Sequence, residues 1–218
     1  TWGAGGPVPV FEDLMVKSFQ VKKPGLVFVT ALFDQEPHPA VLAASQRALK
    51  RTFLQHGKYT SKVEKKGSER VLSGEVDGQA FSIEFTPYSA FVHQKAAKDI
   101  VRALHGGHVD LAGWAYPGAA QRHIQFADTR WFHSAQSALA GTFALAGTVQ
   151  LVVAGTAGAA IVIPEPTDLV AFARSRPRLT PKTAAEFFVA STGDAALVVE
   201  LALRAESKAS LPGCENVH

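Results

Sequence analysis

Cysteine is almost missing from this sequence: Cys214 is the single one in 218 residues. That excludes a disulfide framework within the chain and any multi-cysteine zinc cage. It fits a reducing compartment. A strong charge bias is missing too. Lys plus Arg number 22 and Asp plus Glu 19, a net of +3, and a balance that mild does not by itself name a nucleic-acid partner. The start, Thr1 to Pro9, is Gly- and Pro-rich and has neither the n-region nor the h-region of a signal peptide. A chain that opens on Thr1 reads as a processed or trimmed product, or as part of a longer one. A basic chain with one cysteine suits a bacterial cytoplasm as well as a mitochondrial matrix.

Local catalytic signatures are also lacking. There is no Gly-x-Ser-x-Gly elbow. Gly155-Thr-Ala-Gly158 lacks the third glycine of a dinucleotide fingerprint and the Gly-Lys-Ser/Thr of a P-loop. The residues after it, AAIVIPEP, read as a strand, so a phosphate there would have no helix N-terminus to sit on. No RNP pattern, KH-type Gly-x-x-Gly or zinc finger is present. Between Arg130 and Glu165 there is no charged residue at all. Residues 138–163 are long enough to span a bilayer, which takes roughly 20 apolar residues. Gln150 interrupts the run, however, and β-branched residues cluster at 149–153 and 161–163 around Gly-Thr-Ala-Gly. A buried helix followed by a buried hairpin is therefore predicted, with no transmembrane span.

What is present is core material: 47% of residues are hydrophobic and 19% charged, which excludes intrinsic disorder. Leu26–Phe33 reads as a buried strand. A helix follows Pro39 to about His56, with Leu42, Leu49 and Phe53 on its apolar stripe and Arg47, Lys50 and Arg51 away from it. Asp77-Gly78 between 70–76 and 79–86 predicts a two-residue hairpin. A second helix spans 89–104, and strands are expected at 108–116 and 123–127. Asp128 is expected to cap a third helix carrying Phe132, Ala135, Leu139, Phe143 and Ala146. Strands at 150–154 and 159–163 precede two helices, 168–175 and 181–191, capped by Thr167 and Thr180. Residues 195–205 read as a last strand. The order predicts an α+β (mixed α/β) fold: a largely antiparallel or mixed sheet with about five helices packed on it. One domain, 26–206, is expected between an extended N-terminal arm, 1–25, and a C-terminal tail, 207–218.

Three groups carry chemical potential. His105-Gly-Gly-His108-Val-Asp110 places two imidazoles and a carboxylate within six residues. His105, His108 and Asp110 are thus candidate metal ligands, although a helix-to-strand turn explains them as well. His123 and His133 join only if the fold brings them near. Asp128 and His133, with His108 and Asp110, are candidate catalytic residues. Against this, adjacent side chains on a helix diverge, so Asp128 to Ser134 makes a poor triad. The third group is Arg47, Lys50, Arg51, Lys58, Lys62, Lys65, Lys66 and Arg70, eight cations against Glu64 and Glu69. Such a face can hold phosphates of nucleic acid or anionic lipid, or dock an acidic protein.

The sequence is thus read as a non-catalytic interaction or accessory subunit of a larger assembly. It would dock through its N-terminal arm, where Trp2 and Phe11 are exposed anchors, and through the basic face 47–70. Other protein subunits are the expected partners. No cofactor is expected, and the location is intracellular. Two other readings stand beside it: an enzyme with a His/Asp-lined, metal-dependent site, and a nucleic-acid-binding subunit.

Overall fold

The Asp77-Gly78 turn forms where the sequence places it. Asp77 has φ 53° and Gly78 φ 76°, the paired left-handed conformations a two-residue hairpin turn demands. A computed structural model describes residues 7–50, 70–87, 97–104, 107–110, 132–156, 158–208 and 214–217. Residues 7–22, expected within an extended arm, hold a helix, α1 (Pro7–Ser18), and a strand, β1 (Phe19–Lys22). Strand β1 pairs antiparallel with β2 (Leu26–Val29). The expected 26–33 strand ends early, because Thr30–Leu32 turn into a short 3-10 helix.

Helix α2 (Pro39–Lys50) is the centre of the molecule. Its expected stripe understates its burial. Ala40, Ala43, Ala44 and Ala48 are as buried as Leu42 and Leu49, since alanine lets neighbouring elements approach on several sides. Strands β3 (Arg70–Val76) and β4 (Gln79–Phe85) pair in full register, and β4, β2 and β7 (Val149–Val153) all pack on α2. Helix α3 (Ala97–Ala103) covers the described part of the second expected helix. Strand β5 (His108–Asp110) pairs antiparallel with β6 (Phe132–Ser134).

That last pairing corrects the third expected helix. Phe132 is half-exposed in a strand and not on an apolar helical stripe. The helix α4 (Ala135–Thr142) starts three residues later, capped by Ser134, whose hydroxyl accepts from the Ser137 amide at 3.2 Å. Asp128, the expected cap, lies outside the described residues, as do the expected 123–127 strand and the end of the 108–116 strand. Helix α5 (Ala144–Gly147) follows directly.

The uncharged stretch holds the expected buried hairpin, but the expected buried helix before it is broken into α4 and α5 and is partly exposed. Strand β7 turns back into β8 (Ala159–Val162) through Gly155, φ 72°. Gln150 is buried, and its amide donates to the carbonyls of Leu145 (3.0 Å) and Thr148 (2.9 Å). Among the described residues no helix is long and apolar enough to cross a membrane. Beyond β9 (Pro164–Pro166), helix α6 (Leu169–Ser175) is capped one residue later than expected. The Asp168 carboxylate accepts from the amides of Val170 and Ala171 at 2.8 and 2.9 Å.

Two expected elements change type. After a 3-10 turn at Arg176–Leu179, the helix expected over 181–191 is replaced by a 3-10 turn at Ala185–Phe187 and then β10 (Phe188–Val189), which joins β7 in parallel. Thr180 does not cap; its hydroxyl accepts from Arg176. The expected 195–205 strand is part of a helix, α7 (Thr192–Lys208). The Ser191 hydroxyl accepts from the Asp194 amide at 3.1 Å and donates to its carboxylate at 2.8 Å, nucleating that helix. Within the expected tail, β11 (Cys214–Val217) pairs antiparallel with β9.

The fold is α+β, as the sequence predicts. In the described residues its strands form one three-stranded sheet, β10-β7-β8, and four two-stranded ones. One apolar core cluster draws residues from α2 and from β1, β2, β4, β5, β7, β8 and β10.

Candidate functional site

The basic face begins on α2. After Pro39, its exposed first residue, Arg47 and Lys50 are the only residues of the helix not fully buried, which follows from long cationic side chains reaching solvent over apolar stems. The Arg47 guanidinium lies 5.6 Å from the centre of the Phe188 ring, a cation–π contact between α2 and β10. The ammonium of Lys50 donates to the hydroxyl of Thr86, just after β4. Arg70, at the start of β3, is exposed and donates to the Pro24 carbonyl at 3.0 Å. Arg51, Lys58, Lys62, Lys65 and Lys66 lie outside the described residues. Arg47 and Lys50, on α2, and Arg70, on β3, are therefore held against three different segments of the chain.

The histidine group is arranged differently. In the β5–β6 ladder His108 stands opposite Ser134 and Val109 opposite His133. Opposite residues share a face and successive ones alternate, so His133 lies on the face of buried Val109. His108, which is exposed, lies on the other, and position 110 has the same strand parity as His108. The ladder thus keeps His108 and His133 apart. His105 and His123 lie outside the described residues. Among the described residues no three His, Cys, Asp or Glu side chains are grouped as a metal would need.

Two polar side chains that sequence reasoning passed over organise the ground beneath the basic face. Gln46, 1% exposed, points from α2 into the junction of two hairpins. Its carbonyl accepts from the Val27 amide at 2.7 Å, and its amide donates to the carbonyls of Gly25 (3.0 Å) and Thr86. Lys50, one helical turn on, reaches the same Thr86. Arg176, 3% exposed, donates to the carbonyls of Ala146 (2.9 Å) and Thr148 and to the Thr180 hydroxyl (2.7 Å). All of these acceptors are neutral. Burial lowers its pKa from the ordinary guanidinium range to about 10, so it keeps its charge at neutral pH. Its neighbours Leu32, Ser45, Gln150, Pro181 and Phe187 close around it too tightly to admit a water molecule. The signal for Arg176 was in the sequence as Arg174-Ser-Arg-Pro-Arg178, overshadowed by the larger run at 47–70.

A model of the DevT N-terminal domain matches residues 1–141. The chain belongs to the DevT N-terminal domain family. The match ends inside α4, so the three-stranded sheet and the Arg176 anchorage lie beyond it. Similarity to a longer protein continues through that region. The CRISPR-associated protein Cas8a1/Csx13 of Myxococcus xanthus (strain DK1622) is 40% identical over 209 residues, 94% of this chain. Those residues are 36% of the relative, so the chain spans about a third of that protein's length.

Proposed function

We propose that this chain acts as a non-catalytic part of a CRISPR-associated protein assembly, contacting other protein subunits and a nucleic acid. The observation that carries this reading is the 40% identity, over nearly the whole chain, to a protein named CRISPR-associated. In RNA-guided complexes base pairing reads sequence, and the protein holds strands largely through their backbone. A protein in that role needs cations displayed on a stable scaffold more than a catalytic cluster. Arg47, Lys50 and Arg70, each with a fixed partner in Phe188, Thr86 or Pro24, supply the described part of such a display. Phe188 beside Arg47 adds an aromatic ring of the kind on which bases stack. The remaining cations of the face, Arg51, Lys58, Lys62, Lys65 and Lys66, belong to the same proposal, as do residues 1–25 as a protein-docking segment. The bacterial relative favours the cytoplasm over the mitochondrial matrix.

The test is to isolate the full polypeptide from cells that make all of its CRISPR-associated proteins. Co-elution with those proteins in fixed stoichiometry, together with nuclease-sensitive nucleic acid, is expected. A polypeptide that elutes without them and without nucleic acid would sink the reading.

A further inference from the structure

We propose that the segment 174–182 is a second nucleic-acid contact, in which Arg174, Arg178 and Lys182 bind the phosphodiester backbone of a strand. This deepens the reading above and rests on it for the identity of the ligand. The charge comes first. Between Asp168 and Glu186 there are four cations and no acid. Asp168 is engaged as the cap of α6, and the Glu186 carboxylate accepts from the backbone amides of Lys182 (2.8 Å) and Thr183 (3.4 Å).

The second observation is how firmly the segment is held. Arg176 pins it to α5 and the turn before β7 through Ala146 and Thr148, and to itself through Thr180. The Ser175 hydroxyl donates to the Ala171 carbonyl at 3.0 Å. Pro177 and Pro181 fix two of its backbone φ angles. The exposed cations lie on this frame. Arg178 donates to the Ser175 hydroxyl at 3.0 Å and Lys182 to the Pro177 carbonyl at 2.7 Å; Arg174 is exposed at the end of α6. A charged group already ordered loses less entropy when it binds.

The third observation is electrostatic. Arg176 is buried against neutral oxygens, so its positive charge is solvated but not cancelled by them. Its field adds to that of the three surface cations, and an anion at the surface relieves it. Arginine forks match phosphate oxygens in pairs, and a polyanionic strand can engage all three cations together.

The experiment uses the full polypeptide carrying R174E, R178E and K182E, with random-sequence single-stranded RNA, single-stranded DNA and duplex DNA as labelled probes. A charge reversal on another surface, R102E, is the control. The expected result is at least tenfold weaker binding to one or more probes, with the slope of log affinity against log salt shallower by about 2, from roughly 0.7–0.9 per lost phosphate contact. R102E should leave both unchanged. The probe with the largest loss identifies the strand. Unchanged affinity and slope in a triple variant that unfolds at the parent's temperature would overturn the proposal. An equal loss in R102E would do the same, as would an equal loss for an acidic polypeptide probe. If the triple variant does not fold, R174Q with K182Q gives the same readings by neutralisation. Elution without protein partners and without nucleic acid defeats the earlier reading and leaves these binding curves to decide this one.

Discussion

At the scale of single residues, the molecule depends on two polar side chains buried among apolar ones. A buried polar atom left without a partner costs about 1–3 kcal/mol. Gln46→Ala strands the Val27 amide and two carbonyls, those of Gly25 and Thr86. It is expected to destabilise by about 3 kcal/mol or more, read as a lower urea midpoint at unchanged slope. Arg176→Met removes the desolvation cost of a buried charge but takes its donor from the Ala146 carbonyl and leaves the Thr148 carbonyl with the Gln150 amide alone. The second effect wins, for a net loss of about 2–4 kcal/mol. The pH dependence follows from the sign of the shift. A base whose folded pKa is lowered binds fewer protons when folded only from about 10 up to its ordinary, higher value. Stability from this group therefore rises with pH in that window alone. Between pH 5 and 9 the difference between variant and parent should be flat, and a sloping difference would mean that folded Arg176 loses its proton far below 10.

At the scale of elements, α7 shows how two periodicities compete for the same letters. Ala195, Leu197, Val199, Leu201 and Leu203 all have the same parity, so a strand would put all five on one face. The helix separates them. Ala195, Val199 and Leu203 are at most 5% exposed, whereas Leu197 and Leu201 are more than half exposed. Leu203→Ala is therefore expected to cost about 2–5 kcal/mol and Leu201→Ala close to nothing. Equal costs in thermal or urea unfolding would favour the strand. The residues that decided the matter are Ser191 and Asp194, whose mutual capping bonds start the helix. At 181–191 the opposite happened. A local helical signal, Thr-Pro after Leu179, lost to an edge of β7 that Phe188 and Val189 could join.

At the scale of the whole molecule, the small net charge conceals segregation. Cations concentrate at 47–70 and at 174–182, and the rest of the chain is acidic on balance. Nucleic-acid affinity carried by such patches depends steeply on salt, because each neutralised phosphate releases counterions. K62E, K65E and K66E together are expected to abolish most binding by the 47–70 face at physiological salt, without lowering the unfolding temperature. Binding that is insensitive to salt, measured by anisotropy at several ionic strengths, would defeat that expectation.

Local chemistry was legible from the sequence. The Asp-Gly turn, the buried hairpin in the uncharged stretch, the helix after Pro39 and the α+β class each follow from conformational preferences that act over a few residues. The basic run at 47–70 was equally plain, because charge is additive along a chain. The tertiary structure decided whatever depended on a distant partner. β6 exists because β5 pairs with it, which put Phe132 in a strand and His133 on the face opposite His108. β10 exists because β7 offered an open edge, and Arg176 is buried because carbonyls some 30 residues earlier accept its protons. Pairing and burial are set by long-range geometry, and no window of neighbouring residues contains that.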